Sequence, residues 1–249
     1  MPKSFLIDTS RCTACRGCQL ACKEWNGLPA NHTKQYGWGS HQNPQDLNPN
    51  NYKLVRFNEH LDADGVVHWN FFPDQCRHCL VPPCKDVADM SVPGAVIQDA
   101  ATGAVVYTEK SKKLTADEFE AVREACPYNI PRRDEKSGLM RKCTMCFDRL
   151  QAGMLPACVK VCPTGTMNFG EREDMLKLAE ERLKKVQKAH PKAMLVDPED
   201  VNVIFIILDD PKYYHAGAVA ERKDAMDRKA FLAGLAKPLR RIAQAARLS

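Results

Sequence analysis

Apolar and polar positions alternate along this chain in short bursts. Strands are predicted at residues 4–8, 53–57, 68–72 and 167–170, each a few alternating or β-branched positions long. Two more, 95–98 and 104–107, flank Asp99-Ala100-Ala101-Thr102-Gly103 and predict a hairpin. Residues 201–208 form the longest strongly apolar run, interrupted only by Asn202, and predict a buried strand. A 3.6-residue period predicts helices at 115–125 and at 171–189. The second carries Met175, Leu176, Leu178 and Leu183 on its apolar face. Thr115-Ala116-Asp117-Glu118 has the form of a capping box opening the first. Between 26 and 51 the chain is crowded with Asn, Gln, Gly and Pro, a long connection of the kind that is often functional.

The 249 residues, 44% of them hydrophobic, suffice for a sizeable core. The longest apolar run falls far short of the roughly 18 residues of a membrane span, so no transmembrane segment is expected. The N-terminus runs directly into cysteines without a secretory signal; if the protein leaves the cytoplasm, something else is expected to carry it. The formal charge of +5 counts all twelve cysteines as neutral thiols. Were they ligands of three iron-sulfur cubes, each roughly −2 when oxidised, the balance would fall to about −1. The basic excess is therefore no argument for nucleic acid.

The cysteine spacing carries the chemistry. Cys12-x2-Cys15-x2-Cys18-x3-Cys22 is the iron-sulfur run of bacterial ferredoxins. Cys76-x2-Cys79-x4-Cys84 follows, then a single Cys126 before Pro127, then Cys143-x2-Cys146-x11-Cys158-x3-Cys162 before Pro163. In such runs three thiolates hold one cube and the fourth reaches its neighbour. The exchange predicts three [4Fe-4S] clusters: Cys12, Cys15, Cys18 and Cys162; Cys143, Cys146, Cys158 and Cys22; Cys76, Cys79, Cys84 and Cys126. Continuing the second group by its x3 step reaches Ala88, and counting back from Cys126 reaches Val122, Phe119 and Ala116. These four positions cannot ligate iron, and packed side chains are expected where a fourth cube would sit.

Other readings fit less well. Zinc accepts four cysteines, but zinc ribbons pair two C-x2-C knuckles and have no use for the extra close cysteine; a zinc-binding interaction module is the alternative of a different class. Disulfide frameworks suit short secreted chains without a core. Covalent haem needs C-x-x-C-H, and neither Cys76-Arg77-His78-Cys79 nor any other pair is followed by histidine. Twelve cysteines in ligand register do not describe a catalytic nucleophile, so no catalytic residue is assigned. The seven histidines, among them His32, His41, His68 and His78, lack ligand spacing and are expected on surfaces or loops. Arg11, Arg16, Lys23, Arg77, Lys85, Arg141, Lys142 and Lys160 flank the cysteines. Each is expected to be a solvated charge, and as a group they could raise cluster potentials.

The nested pairing implies an α+β, ferredoxin-like protein with two cluster-binding halves. Residues 1–30 with 139–215 would form an outer half holding two clusters, and 31–138 an inserted half holding one. A basic helical tail, 216–249, is expected to be solvated, with a docking segment for a partner chain as the alternative reading.

These residues resemble the ferredoxin-like subunits of molybdopterin oxidoreductases of the dimethyl sulfoxide reductase type. Ser10 to Cys18, Gln75 to Cys79, Pro82 to Lys85 and Leu155 to Gly170 are similar to the small subunit of the soluble formate dehydrogenases of sulfate-reducing bacteria, over about residues 5–215. The resemblance implies a non-catalytic electron-transfer subunit. It further implies a heterodimer with a large catalytic partner that bears a tungsten or molybdenum bis-pterin site, and a cytochrome c as acceptor. Location would be periplasmic, by co-export with the partner, with the cytoplasm as the alternative. Partners handling thiosulfate, sulfoxides or nitrate are the nearest alternatives within the same type.

Overall fold

The computed structural model describes residues 2–31, 33 and 40–220. In chain order the elements are β1 (Lys3–Asp8), α1 (Gly17–Trp25), β2 (Leu54–Leu61), β3 (Val67–Asp74), α2 (Pro83–Ser91), β4 (Val96–Gln98), β5 (Val105–Tyr107), α3 (Ala116–Glu124), β6 (Arg132–Arg133), β7 (Met140–Arg141), α4 (Phe147–Gln151), α5 (Ala157–Lys160), β8 (Met167–Glu171), α6 (Arg172–Val186), β9 (Met194–Val196) and β10 (Val203–Ile207). The chain is thus α+β, with short strands. The tail foreseen from 216 onward lies outside the described residues from 221.

One four-stranded sheet, ordered β8-β1-β10-β9, organises the described residues. β1 runs parallel to β10, pairing Phe5 with Val203 and Ile7 with Phe205, and antiparallel to β8. Every residue of β10 is buried, which explains its unbroken apolar run: both faces of the strand are covered. Leu6, Ile204 and Ile206 project to one face and pack on Ala179, Met175, Leu178 and Leu183 of α6. Alternate residues Phe5, Ile7, Val203, Phe205 and Ile207 project to the other face, where they meet Cys18, Met145, Cys158 and Phe72. Phe72 of β3 stacks on Phe205 with ring centroids 4.2 Å apart. The cysteine-bearing segments therefore rest on the side of the sheet opposite α6.

The β2–β3 hairpin pairs Leu54 with Asp74 through Leu61 with Val67. β4 and β5 form the hairpin predicted from the sequence. Its turn requires Gly103, at φ 76°, because a Cβ there would stand 2.7 Å from the amide of Asn202. Helix α3 begins as foreseen: the Thr115 hydroxyl accepts from Glu118 N, and the Glu118 carboxylate accepts from Thr115 N at 2.7 Å. α6 stops at Val186, three residues before the predicted end.

Helices α1, α2, α4 and α5 have no counterpart in the periodicity reading. They are four to nine residues long, and in α1, α2 and α5 cysteines stand among the buried positions where leucines would have marked a helix. The connection before β2 is pinned down at its described end. Gln19 and Lys23 of α1 donate to the carbonyls of Asn43 and Asn50, and Asp46 pairs with Arg56 and Arg132.

Candidate functional site

All twelve cysteines are free thiols, and they gather in groups of four. Cys12, Cys15, Cys18 and Cys162 line one small pocket, together with Thr164, Val55 and Met167. Cys76, Cys79, Cys84 and Cys126 line another, with Tyr107, Tyr128, Ile130 and Lys142. Cys22, Cys143, Cys146 and Cys158 make the remaining group: after burial, it is the other three thiols that push the Cys22 thiol up. That last group lies within electrostatic reach of both others: Cys18 raises the Cys158 thiol, and Cys76 raises that of Cys143. The three groups form a row with Cys22, Cys143, Cys146 and Cys158 in the middle.

Local helices explain the row. Residues four apart on a helix share a face and lie about 6 Å apart along the axis. α1 therefore hands Cys18 to the first group and Cys22 to the middle one, while α5 hands Cys158 to the middle group and Cys162, just past its end, to the first. α1 packs on α5, so the two hand-overs cross.

Within three of the four Cys-x-x-Cys steps, Cys15 to Cys18 being the exception, the backbone takes the same unusual shape. Ala14, His78 and Met145 occupy the same position between the two cysteines, and all have positive φ, at 52°, 47° and 62°. In this left-handed conformation each N–H turns back to the sulfur two residues earlier. His78 N lies 3.3 Å from Cys76 Sγ and Met145 N 3.4 Å from Cys143 Sγ, and Ala14 makes the same bond to Cys12. N–H groups aimed at sulfur stabilise a thiolate that binds metal. None of the three is glycine, so nothing in the residue types announced the turn.

Burial pushes most of these thiols up: Cys12 to about 11, and Cys84 and Cys143 to about 12. For Cys162 burial acts the same way, but the Met167 N–H, the Thr164 hydroxyl and further N–H groups outweigh it and hold the thiol below its ordinary value. Buried thiols that must ionise to bind metal release protons when it arrives, which couples metal loading to folding. Among the described residues no three His, Cys, Asp or Glu side chains converge on a point that one metal ion could occupy. The thiols face cavities instead, the arrangement that fits a polynuclear group whose sulfur ligands each bind a different metal atom.

Several flanking charges are not the solvated side chains expected. Arg77 is 1% exposed. It donates to Asp74 Oδ1 at 2.6 Å and to the Gly217 carbonyl at 2.9 Å, with its guanidinium over the rings of Phe72, Tyr128 and Phe205. Asp74, although buried, is held well below the usual carboxylate range by His215, Arg77 and Arg56. Lys142 is 5% exposed; its ammonium donates to the carbonyls of Val105 and Cys143 and lies 4.7 Å from the centroid of the Tyr107 ring. Arg11 and Lys160 are exposed, as expected, and Arg16, Lys23, Lys85 and Arg141 are half-buried.

His78 is a second correction. It is fully buried, its Nδ1 accepts from Val105 N at 3.0 Å, and burial followed by the nearby Lys142 holds it well below the ordinary imidazole value. His41 and His68 stay near the surface, while His32 lies outside the described residues. The sequence reading missed Lys53 altogether. It is 2% exposed and is drawn to thiols of two groups.

At the four cysteine-free positions the packing differs from site to site. Ala88 and Val122 are fully buried in one apolar cluster with Val96, Val105, Leu114 and Met140, and Phe119 packs against it. Ala116 is exposed on the first turn of α3, so it fills no such space.

A family profile described as a 4Fe-4S dicluster domain matches residues 67–172. Formate dehydrogenase 2 subunit beta (cytochrome c-553) of Nitratidesulfovibrio vulgaris is 66% identical over 215 residues, which cover 86% of this chain and 97% of that protein. Formate dehydrogenase subunit beta of Megalodesulfovibrio gigas is 52% identical over 220 residues, 88% of this chain and all of that one. The nitrate-inducible formate dehydrogenase iron-sulfur subunit of Escherichia coli is 35% identical over 84% of this chain and 70% of its own length. Among the described residues no helix is long and apolar enough to cross a membrane.

Proposed function

The chain belongs to the iron-sulfur, or beta, subunits of formate dehydrogenases, and on that premise we propose that it holds three [4Fe-4S] clusters and carries electrons from a catalytic partner to an external acceptor. The cages are Cys12, Cys15, Cys18 and Cys162; Cys22, Cys143, Cys146 and Cys158; and Cys76, Cys79, Cys84 and Cys126. Bound cubes would each take and give one electron, at potentials set by burial, charge and hydrogen bonds to sulfur. The observation that carries this reading is the row of three four-thiol groups, in which the middle group neighbours both ends. Residues 1–30 with 139–215 serve as the outer half around the first two cages, and 31–138 as the inserted half around the third.

The partner is a molybdopterin subunit with tungsten or molybdenum, in a heterodimer. The acceptor is a cytochrome c, as the name of the 66% identical relative suggests for that protein, and the complex works in the periplasm. The end with Cys12, Cys15, Cys18 and Cys162 faces the partner, and the end with Cys126 faces the acceptor. This chain does no bond-making chemistry; its residues hold, insulate and tune.

Anaerobic purification of the complex tests the reading directly. Iron and acid-labile sulfide beyond those of the catalytic partner should each approach about twelve per chain, with broad brown absorption. A colourless chain with zinc in place of iron would end it.

A further inference from the structure

Burying an ammonium without a counter-charge is strongly unfavourable, so a buried lysine implies a negative partner. Lys53 precedes β2, is 2% exposed, and donates to two neutral oxygens: the Pro73 carbonyl at 3.2 Å and Gln75 Oε1 at 2.6 Å. No carboxylate pairs with it among the described residues. It sits against the cages: Pro73, whose carbonyl it reaches, lines the first one, and Val55, two residues on, packs with Cys18 of the first group and Cys158 of the middle one. Its charge favours the thiolates of Cys12 and Cys18 in the first group, and of Cys22, Cys146 and Cys158 in the middle one. The cysteines of the third group do not figure among those neighbours, and Lys142, beside Cys84 and Cys143, occupies the corresponding place between the middle and third groups.

We infer that Lys53 is the shared counter-ion of the first and middle cages, a positioning residue that makes both clusters easier to reduce and leaves the third untouched. The reasoning rests on the three-cage reading above. A cube with four thiolates is already negative, and each added electron makes it more so. One fixed positive charge lodged between two cubes stabilises the reduced form of both, and it does so strongly because the site is dry. Without that charge the two hydrogen bonds to Pro73 and Gln75 would remain as a purely structural tie across the start of the β2–β3 hairpin. A neutral donor could make them.

Lys53→Gln keeps a donor and removes the charge; Lys53→Arg keeps the charge. Both are prepared as the complete complex with its catalytic subunit and titrated by electron paramagnetic resonance against potential. The third cluster's signal is assigned by its loss in Cys126→Ala. In Lys53→Gln with iron content unchanged, two of the three clusters should bind an electron about tenfold less tightly, a fall of about 59 mV each for a one-electron couple. The third should hold its potential, and Lys53→Arg should restore the first two. If Lys53→Gln fails to load while Lys53→Arg loads fully at wild-type potentials, the charge requirement stands. Unmoved potentials in a fully loaded Lys53→Gln, equal shifts of all three clusters, or loss of clusters in both variants would overturn the assignment. Wild-type iron far below twelve would sink the cage reading itself, a distinct failure.

Discussion

Two helix pairs in this chain are built to one plan and end up doing different things. In the pair α1 and α5, the four-residue steps are Cys18 to Cys22 and Cys158 to Cys162. In the pair α2 and α3, which also pack on each other, the same steps are Cys84 to Ala88 and Val122 to Cys126. The outer cysteine of each step points to a cage in both pairs. The inner one is a thiol in the first pair and an apolar side chain in the second. The first pair therefore serves two thiol groups separated by one helical turn. The second serves one group and closes the space beyond it with Ala88, Val122 and Phe119. The same backbone device makes either a relay or an ordinary core, and two side chains decide which.

The most disruptive change makes the first pair resemble the second. Cys22→Ala on α1 puts a methyl where α2 has Ala88, and it removes one of four thiols from the middle group. Iron should fall from about twelve to about eight per chain. Because the middle cage adjoins both ends, reduction of the external acceptor should drop to background. Formate oxidation assayed with a dye reduced at the catalytic subunit should persist. A Cys22→Ala complex that keeps all its iron, or still reduces the acceptor at the wild-type rate, would show that the middle group is not the link.

The converse change probes the second pair. Val122 is fully buried in the apolar cluster that also takes in Cys84. Removing two methyl groups there should destabilise the chain by about 2–3 kcal/mol through lost burial and an unfilled space. The effect should be of similar size with and without iron, since Val122 itself holds no iron and its cost is one of apolar packing. Urea denaturation of the loaded and the iron-depleted forms would measure both. A penalty confined to the loaded form would mean that Val122 supports a cage and not a core.

How much of this was visible in the residues follows the same division. Where apolar side chains do the packing, periodicity found the elements: α3 with its Thr115–Glu118 box, β10, and the β4–β5 hairpin. Where cysteines do it, α1, α2 and α5 were invisible to periodicity, although the four-residue spacing of the cysteines was in plain view. Charges next to cysteines could not be sorted from sequence, because Arg77 and Lys160 stand at equivalent distances along the chain. Only tertiary contacts bury Arg77 against Phe72, Tyr128 and Phe205 while leaving Lys160 exposed. Lys53 lies 22 residues from Gln75 in sequence, one of its two acceptors, and no local signal connects them. His78 was misread for the same reason: its acceptor role toward Val105 N exists only once the β4–β5 hairpin is in place.

The smallest predicted effect separates backbone from side chain within the Cys-x-x-Cys turns. A left-handed φ costs a residue with a Cβ roughly 1 kcal/mol, and glycine escapes it. At His78 and Met145 that relief would come with the loss of a buried side chain, one of them an acceptor for a backbone N–H. At Ala14, which is half-buried, little more than the Cβ itself is at stake. Ala14→Gly should relieve the strain and keep the N–H that faces Cys12. The greater freedom of glycine in the unfolded chain offsets part of the gain. The net expectation is a stabilisation of less than 1 kcal/mol, a rise in melting temperature of at most about 3 °C for a chain of this size, with cluster potentials unchanged. A shift in the potential of the first cluster would mean that the alanine methyl, and not only the N–H beside it, shapes the surroundings of the Cys12 sulfur.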